Sequence, residues 1–409
     1  MKPAGVILFF LIAMAVCAGV NVYLGKRIFQ CVCAIQPKTN AKLFIIIYAA
    51  ATVLMIAANF ATTSAFPAAV KDILRWCGGI WMGFFIYALM LFLAADTVMA
   101  VGRLAKIIPS PVPQNIRVYA GLAAIALTAV IAAYGIINTN MLRVASYSVR
   151  LNNGKSLPKG MKIVLASDLH LGAAGSEKRL LKIIDAINAQ KPDLVCLAGD
   201  IFNDSYSALS NPEGASALFK SLQATYGVYA CPGNHDAGKS ADQMVDFLES
   251  SGVRLLGDEF DVVNGQTAVI GRLDPRPIGG FEGKLRAPIS ELITKNADGT
   301  SITLTNKWKT PGRPIQATVG GDTPIIVIDH NPKSIREYGD EVDLVLSGHT
   351  HRGQLFPANL ITKLIYTADY GHYQQKPGSP NLIVTSGAGI WGPPMRVGTN
   401  CEIVCISLF

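Results

Sequence analysis

Acidic side chains are almost missing from the first 150 residues, which hold only Asp72 and Asp96 against 12 lysines and arginines. Residues 151–409 carry 24 basic against 26 acidic side chains, so the net charge of +8 belongs to the N-terminal part alone. There the charges sit between long apolar runs, which favours membrane topology over a nucleic-acid partner. The eight cysteines show neither zinc-finger spacing nor a secreted disulfide framework. No repeat or low-complexity tract stands out. Histidine is scarce as well: of six in the chain, five fall in four short motifs of the C-terminal half.

Four apolar runs, at residues 5–24, 43–62, 78–101 and 118–137, reach the roughly 20 residues a bilayer crossing needs. They are nearly free of charge and separated by short basic loops, unlike buried helices of a soluble core. Asp96 lies near the end of its run and reads as interfacial rather than as a proton relay. The first run reads as an uncleaved helix, because Lys2 is its only leading charge and no small-x-small cleavage site follows. Loops 25–42 and 102–117 hold Lys26, Arg27, Lys38, Lys42, Arg103, Lys106 and Arg117. The other side holds Lys2, Lys71, Arg75, Arg143, Arg150 and Lys155. The flanks of the first helix weigh most and put both termini outside. The expectation is a four-pass protein of the inner or plasma membrane, with its C-terminal domain on the extracytoplasmic side. Residues 1–140 form the membrane domain. Residues 141–161, polar and holding Gly154, Pro158 and Gly160, form a linker, and 162–409 form one domain.

That domain alternates short apolar runs with amphipathic ones. Strands are expected at 162–167, 193–198, 227–231, 324–328, 344–347, 382–385 and 402–408, and helices at 176–190, 212–224 and 241–251. This is an α/β pattern with a mixed sheet. Residues 299–324, Thr-rich and containing Trp308, interrupt it either as a hairpin or flap beside the site or as a surface insertion, the second being preferred.

The chemistry follows the apolar runs. Asp168-Leu169-His170, Gly199-Asp200, Gly233-Asn234-His235-Asp236, Asp329-His330-Asn331 and Gly348-His349-Thr350-His351 each come directly after one. In open α/β sheets, residues just past the carboxyl ends of strands gather at one rim. Imidazole and carboxylate without thiolate suit Mn, Fe or Zn. The set is too large for one tetrahedral site and implies two ions. Two ions about 3.5–4 Å apart can share a hydroxide and clamp both oxygens of a phosphoryl transfer.

These motifs resemble the calcineurin-like metallophosphoesterases, whose pattern is Asp-x-His, Gly-Asp-x-x-Asp, Gly-Asn-His-(Asp/Glu), His, then Gly-His-x-His. The resemblance spans about residues 162–409. It implies a four-layer αββα sandwich of two mixed sheets and two divalent metal ions. Asp168, His170 and His351 would hold one ion and Asn234, His330 and His349 the other, with Asp200 between them and His235 protonating the leaving oxygen. One departure concerns the second carboxylate, which the family often places three residues after the bridging Asp to orient the catalytic imidazole. Here Asn203 stands there: its amide could hold the ring with less stabilisation of the cation, Asp204 or Asp236 could substitute, or the site works more slowly.

The run Gly387-Ala388-Gly389-Ile390-Trp391-Gly392-Pro393-Pro394-Met395-Arg396, together with His351-Arg352-Gly353-Gln354, resembles the YkuE-like and YaeI-like bacterial branch. Members are commonly membrane-attached, and some relatives cleave the pyrophosphate of UDP-diacylglucosamine. Trp391 would form an apolar lip, while Arg352 and Arg396 would meet phosphate oxygens. His372, outside every motif, reads as a surface residue. The expected function is membrane-anchored hydrolysis of phosphoester or pyrophosphate bonds, on substrates that include lipid-linked and nucleotide-sugar phosphates. The alternative is a receptor or transporter-like protein with a regulatory phosphoesterase domain.

Overall fold

The computed structural model describes residues 3–60, 67–151, 155, 157, 160–281, 283–308, 310 and 312–409. Lys2, Thr62, Gly154 and Pro158 lie outside the described residues.

The N-terminal part forms four helices, α1 (Pro3–Ile35), α2 (Ala41–Phe60), α3 (Ala68–Leu104) and α4 (Gln114–Asn138). Each is long and apolar enough to cross a membrane. Helix α1 continues well past residue 24, so Lys26, Arg27, Cys31 and Cys33 lie on a helix rather than in the expected loop. Lys, Arg and Gln are good helix formers, and the helix stops just before Pro37. Arg27 thereby reaches Asp96: its Nη2 donates to Oδ1 at 2.8 Å, and the Tyr23 hydroxyl donates to Oδ2 at 2.7 Å. Asp96 is thus paired between helices. Leu24, Cys31, Ala88, Phe92 and Ala124 pack together inside, while Ile45, Ile46, Ile47 and Val53 face outward. Such an apolar exterior suits hydrocarbon better than water.

A second compact unit runs from Ile137 to Phe409. In chain order it contains β1 (Leu142–Val149), β2 (Met161–Ala166), α5 (Ser176–Ala189), β3 (Leu194–Ala198), α6 (Pro212–Lys220) and β4 (Val228–Cys231). Helix α7 (Ala241–Ser250) follows, then β5 (Val253–Leu255), β6 (Glu259–Val263), β7 (Thr267–Gly271), α8 (Ile289–Leu292), β8 (Ile293–Lys295) and β9 (Ser301–Thr305). The remainder is β10 (Gln316–Gly320), β11 (Ile325–Ile328), β12 (Leu344–Ser347), α9 (Ala358–Ile365), β13 (Gly371–Gln374), β14 (Asn381–Val384) and β15 (Cys401–Leu408).

Two six-stranded mixed sheets result, with strand orders β1-β15-β2-β3-β4-β5 and β13-β14-β12-β11-β7-β6. The apolar runs alternate by strand period. In β2, Ile163 and Leu165 enter the core between the sheets, while Val164 and Ala166 face the core under α5, α6 and α7. In β11, Ile326 and Ile328 face the first sheet, while Ile325 and Val327 face the opposite way. Cys196 and Cys231 are buried in the core between the sheets, and all eight cysteines are free thiols.

Two further expectations are corrected. The linker assigned to 141–161 begins with β1, which pairs in parallel with β15 along its whole length, Leu142 against Cys401 through Val149 against Leu408. Its polar look is that of an edge strand with one half-exposed face. The segment 299–324 is not a bland surface insertion: β8, β9 and β10 form an antiparallel sheet. Its Ile293, Ile302 and Leu304 bury against Ile325, Val327 and Val345. The outer layer on this side is therefore largely a small sheet.

Candidate metal centre

Strands β2, β3 and β4 run parallel, as do β11 and β12, so their carboxyl ends bring the polar motifs together. Each chain turns away from its sheet within two or three residues. Asp168, His170, Asp200, His349 and His351 accordingly adopt positive φ, between 47° and 71°, and such left-handed backbone in non-glycine residues clusters at functional sites. The turns lock onto one another. The Asp168 amide donates to Gly199 O at 2.9 Å, the His170 amide to Asp200 O at 3.0 Å, and the Gly348 amide to His330 O at 3.0 Å. The His235 amide donates to Asp200 Oδ1 at 2.8 Å. A Cβ at Gly348 would overlap Ser167 Oγ and Asp168 Oδ2, and one at Gly233 would overlap the Asp200 carboxylate. Only glycine permits these approaches.

Two groups of donor atoms emerge, Asp168 with His170 and His351, and Asp200 with His330 and His349, each with its atoms within 4.8 Å of one another. His170 Nε2 lies 3.1 Å from His351 Nε2, and His351 Nε2 lies 3.3 Å from Asp168 Oδ1. His330 Nε2 lies 3.1 Å from Asp200 Oδ2 and 3.2 Å from His349 Nδ1, which in turn lies 2.8 Å from Asn234 Oδ1. Asp200 also faces the first group, 3.9 Å from His170 Nε2. Imidazole nitrogens converging on one another suit a shared cation, because donor separations near 3.0–3.4 Å follow from metal bonds of about 2.0–2.1 Å. His330 Nδ1 donates to Ala198 O at 2.7 Å, which leaves its Nε2 lone pair free, the usual second hydrogen bond of a ligating histidine. The residues therefore fit two divalent cations.

The ionisation balance agrees. Burial pushes His170 and His349 down to about 3, and burial, helped by the charge of Arg396, pushes His351 well down too. All three are neutral and ligand-ready at physiological pH. Burial lifts Asp168 to about 6. His330 moves well upward although burial opposes it, because Asp200 and Asp168 lie against it. The two carboxylates call for positive charge between them.

His235 sits at the edge of this cluster, with Nε2 4.0 Å from Asp200 Oδ2 and its ring 5.2 Å from that of His170. Its Nδ1 lies 2.6 Å from Asp204 Oδ1. Asp204 thus takes the position the sequence left open, from a residue with φ 64°. Among the described residues Asn203 makes no hydrogen bond to the ring, and its buried Oδ1 lacks a partner. Asp236 serves elsewhere: its carboxylate accepts from the amides of Ile201, Phe202 and Gly233 at 3.1, 2.8 and 2.8 Å, joining the Asp200 and His235 turns. Trp391 is half exposed, and its ring lies 6.2 Å from that of His235.

Arg396 does not face substrate. It is fully buried, and its guanidinium donates to the carbonyls of Gly389 and Asn400 at 2.7 and 2.8 Å, with Nη2 3.3 Å behind His351 Nδ1. Sequence reveals the charge but not its burial. The Arg352 guanidinium lies over Tyr370, its carbon 4.2 Å from the ring centre. His372 is exposed on β13, its Nε2 2.9 Å from Asn381 Oδ1. Three residues carry no role in the sequence pattern alone. Gln354 clamps both sides of Trp391, accepting from its amide at 2.9 Å and donating to its carbonyl at 2.6 Å. Tyr366 lies 6.0 Å from the His349 ring. Asp274, buried past the end of β7, has an unpartnered Oδ2 among the described residues. The strand-then-acid signal that found the other motifs is present there too, in Gly271-Arg272-Leu273-Asp274.

The calcineurin-like phosphoesterase family model matches residues 161–353. An uncharacterized metallophosphoesterase of Aquifex aeolicus is 30% identical over 289 residues, covering 69% of this chain and 97% of that protein. The chain belongs to the calcineurin-like phosphoesterases. A transmembrane protein with metallophosphoesterase domain of Danio rerio is 28% identical, over 70% of this chain and 62% of that protein. The metallophosphoesterase YkuE of Bacillus subtilis is 28% identical, over 61% of this chain and 79% of that protein. The chain thus spans less than two thirds of the Danio rerio relative. The phosphoesterase family match takes in every inferred ligand, whereas Trp391 and Arg396 lie beyond it.

Proposed function

We propose that this phosphoesterase is a membrane-anchored, two-metal phosphohydrolase acting on phosphoester or pyrophosphate bonds, lipid-linked and nucleotide-sugar phosphates among them. The reading is carried by one observation: two groups of facing donor atoms share a rim with an imidazole whose far nitrogen is held by a carboxylate. Asp168, His170 and His351 would hold one divalent cation, and Asp200, Asn234, His330 and His349 the other. The ions would supply Lewis-acid polarisation of phosphoryl oxygens and an activated water. His235 delivers the proton to the leaving oxygen from Nε2, while Asp204 fixes its ring and favours its charged form. Trp391 shields that proton from solvent on one side. Lys38 and Lys42, which follow the first helix, support a domain on the extracytoplasmic side, which reporter fusions at Phe409 test.

The decisive assay strips the purified full chain with chelator, reloads it with Mn, Fe, Co or Zn, and offers aryl phosphate mono- and diesters. Inactivity with all four metals would sink the reading. His235→Ala is expected to cut kcat by about 10²–10⁴ while metal content stays at the wild-type level.

A further inference from the structure

Helix α9 has no buried residue. Leu360, Ile361, Leu364 and Ile365 occupy one face, at 51, 57, 88 and 51% exposure, and Phe356 just before the helix is 48% exposed. Four large apolar side chains on an eight-residue helix are more than scattered surface leucines account for. From Arg352 to Ala368 the chain holds Arg352 and Lys363 and no acid. Lys333 lies over Tyr366 at 5.1 Å, and Arg336 Nη2 lies 3.5 Å from Thr367 Oγ1. Asp369, the nearest acid along the chain, is occupied by Thr362 Oγ1 at 2.8 Å. An apolar face bordered by cations, in a domain whose charge is otherwise balanced, matches an anionic bilayer surface.

The location gives this face a use. Tyr366, the next residue after α9, stands against His349. Gln354, at the turn leading into the helix, holds Trp391 beside His235. Ile278, 49% exposed, donates its amide to Asn234 O at 2.9 Å. The metal centre is therefore bordered by exposed apolar side chains on both its His349 and its His235 sides. Along the chain, α4 gives way to β1 after three residues, about 10 Å at full extension.

We propose that α9 is an interfacial helix that sinks its Leu360–Ile365 face into the bilayer and brings the metal centre to substrates whose phosphate is carried on a lipid. This rests on the phosphohydrolase reading and narrows its substrates to phosphates carried on a lipid. In nanodiscs of phosphatidylglycerol and phosphatidylcholine, the full chain would receive a bimane label at Leu364→Cys, with the accessible Cys17, Cys33, Cys77 and Cys405 changed to alanine. Lipids brominated in the acyl chains should quench that label at least twofold more than a label at the exposed Asp298→Cys position. Equal quenching at the two positions would overturn the proposal, and this arm requires no enzymatic activity. In the second arm, Ile361→Asp/Leu364→Asp should lower hydrolysis of the p-nitrophenyl ester of phosphatidic acid in the disc at least tenfold. Hydrolysis of dissolved bis-p-nitrophenyl phosphate should stay within twofold. Equal loss on both substrates, or loss on neither, would overturn it; Lys363→Glu, which leaves the apolar face intact, should give a smaller loss confined to the lipid-borne ester. A wild-type chain inactive on both esters with every metal would instead remove the phosphohydrolase reading, leaving the quenching result to judge the helix.

Discussion

His235 has one nitrogen turned to the metal cluster and the other to Asp204, and the environment decides what its proton does. Burial alone would lower its pKa, but the Asp204 hydrogen bond and the charges of Asp200, Asp204 and Asp236 more than offset that, so it lies above the ordinary histidine value. An imidazole that works as an acid is active while protonated, so a raised pKa extends activity to higher pH. Replacing Asp204 by Asn removes the charge but keeps an acceptor. The alkaline limb of the kcat–pH profile should then move to lower pH, and kcat should fall about tenfold, less than for loss of the imidazole. A profile with an unmoved alkaline limb would deny Asp204 this role. The sequence showed a carboxylate was displaced from its usual place, and it offered Asp204 and Asp236 equally. Only the left-handed turn at Asp204 and the three amides around Asp236 tell them apart.

At the scale of elements, the site motifs were legible because each follows a strand that is buried throughout, Lys162 of β2 excepted, and buried strands are the most apolar runs in the domain. Elements at sheet edges were not. β1 shows a polar face, β5 has three residues, and β13 alternates around exposed His372. Arg396 was misplaced for a related reason, since a cation satisfied by carbonyls looks in sequence like one awaiting phosphate. Another element-level device is the arginine that ties the end of β11 to the short helix Pro332–Glu337. Arg286 Nη2 pairs with Asp329 Oδ2 at 2.7 Å and with Glu337 Oε2 at 2.8 Å. Burial would raise Asp329, yet Arg286 and the Tyr338 hydroxyl hold it below the usual carboxylate range. A depressed carboxylate stabilises the fold above its unfolded pKa of about 3.9 and loses that contribution as pH falls through its folded value. Arg286→Met would strand a buried charge, at a cost of about 3–5 kcal/mol. The melting temperature of the full chain's phosphoesterase transition should drop by roughly 5–10 °C near pH 7. The deficit should shrink towards pH 4 as Asp329 takes up a proton; a deficit independent of pH would point to lost packing instead.

For the whole molecule, two carboxylates and at least four imidazoles gathered at one rim make the fold and its ions mutually dependent. Cations that bind only the folded domain stabilise it by about 2.7 kcal/mol at a hundredfold excess over Kd. Chelation should therefore lower the melting temperature, and Mn should restore it, as calorimetry of the full chain would record. Because burial places Asp168 at about 6 in the cation-free state, protons compete with metal below that pH. Metal retained through gel filtration should fall between pH 7 and pH 5, whereas constant retention would exclude Asp168 as a ligand.

The family match begins at residue 161, an inviting place to cut the chain. Yet β15 lies between β1 and β2, so a fragment starting there would lose β1 and leave eight residues of β15 with open amides and carbonyls. An unprotected apolar strand of that length is a template for pairing with other molecules. The inhibitor of aggregation in this domain is thus a strand contributed from upstream of its signature motifs, and soluble expression fragments have to begin before Leu142.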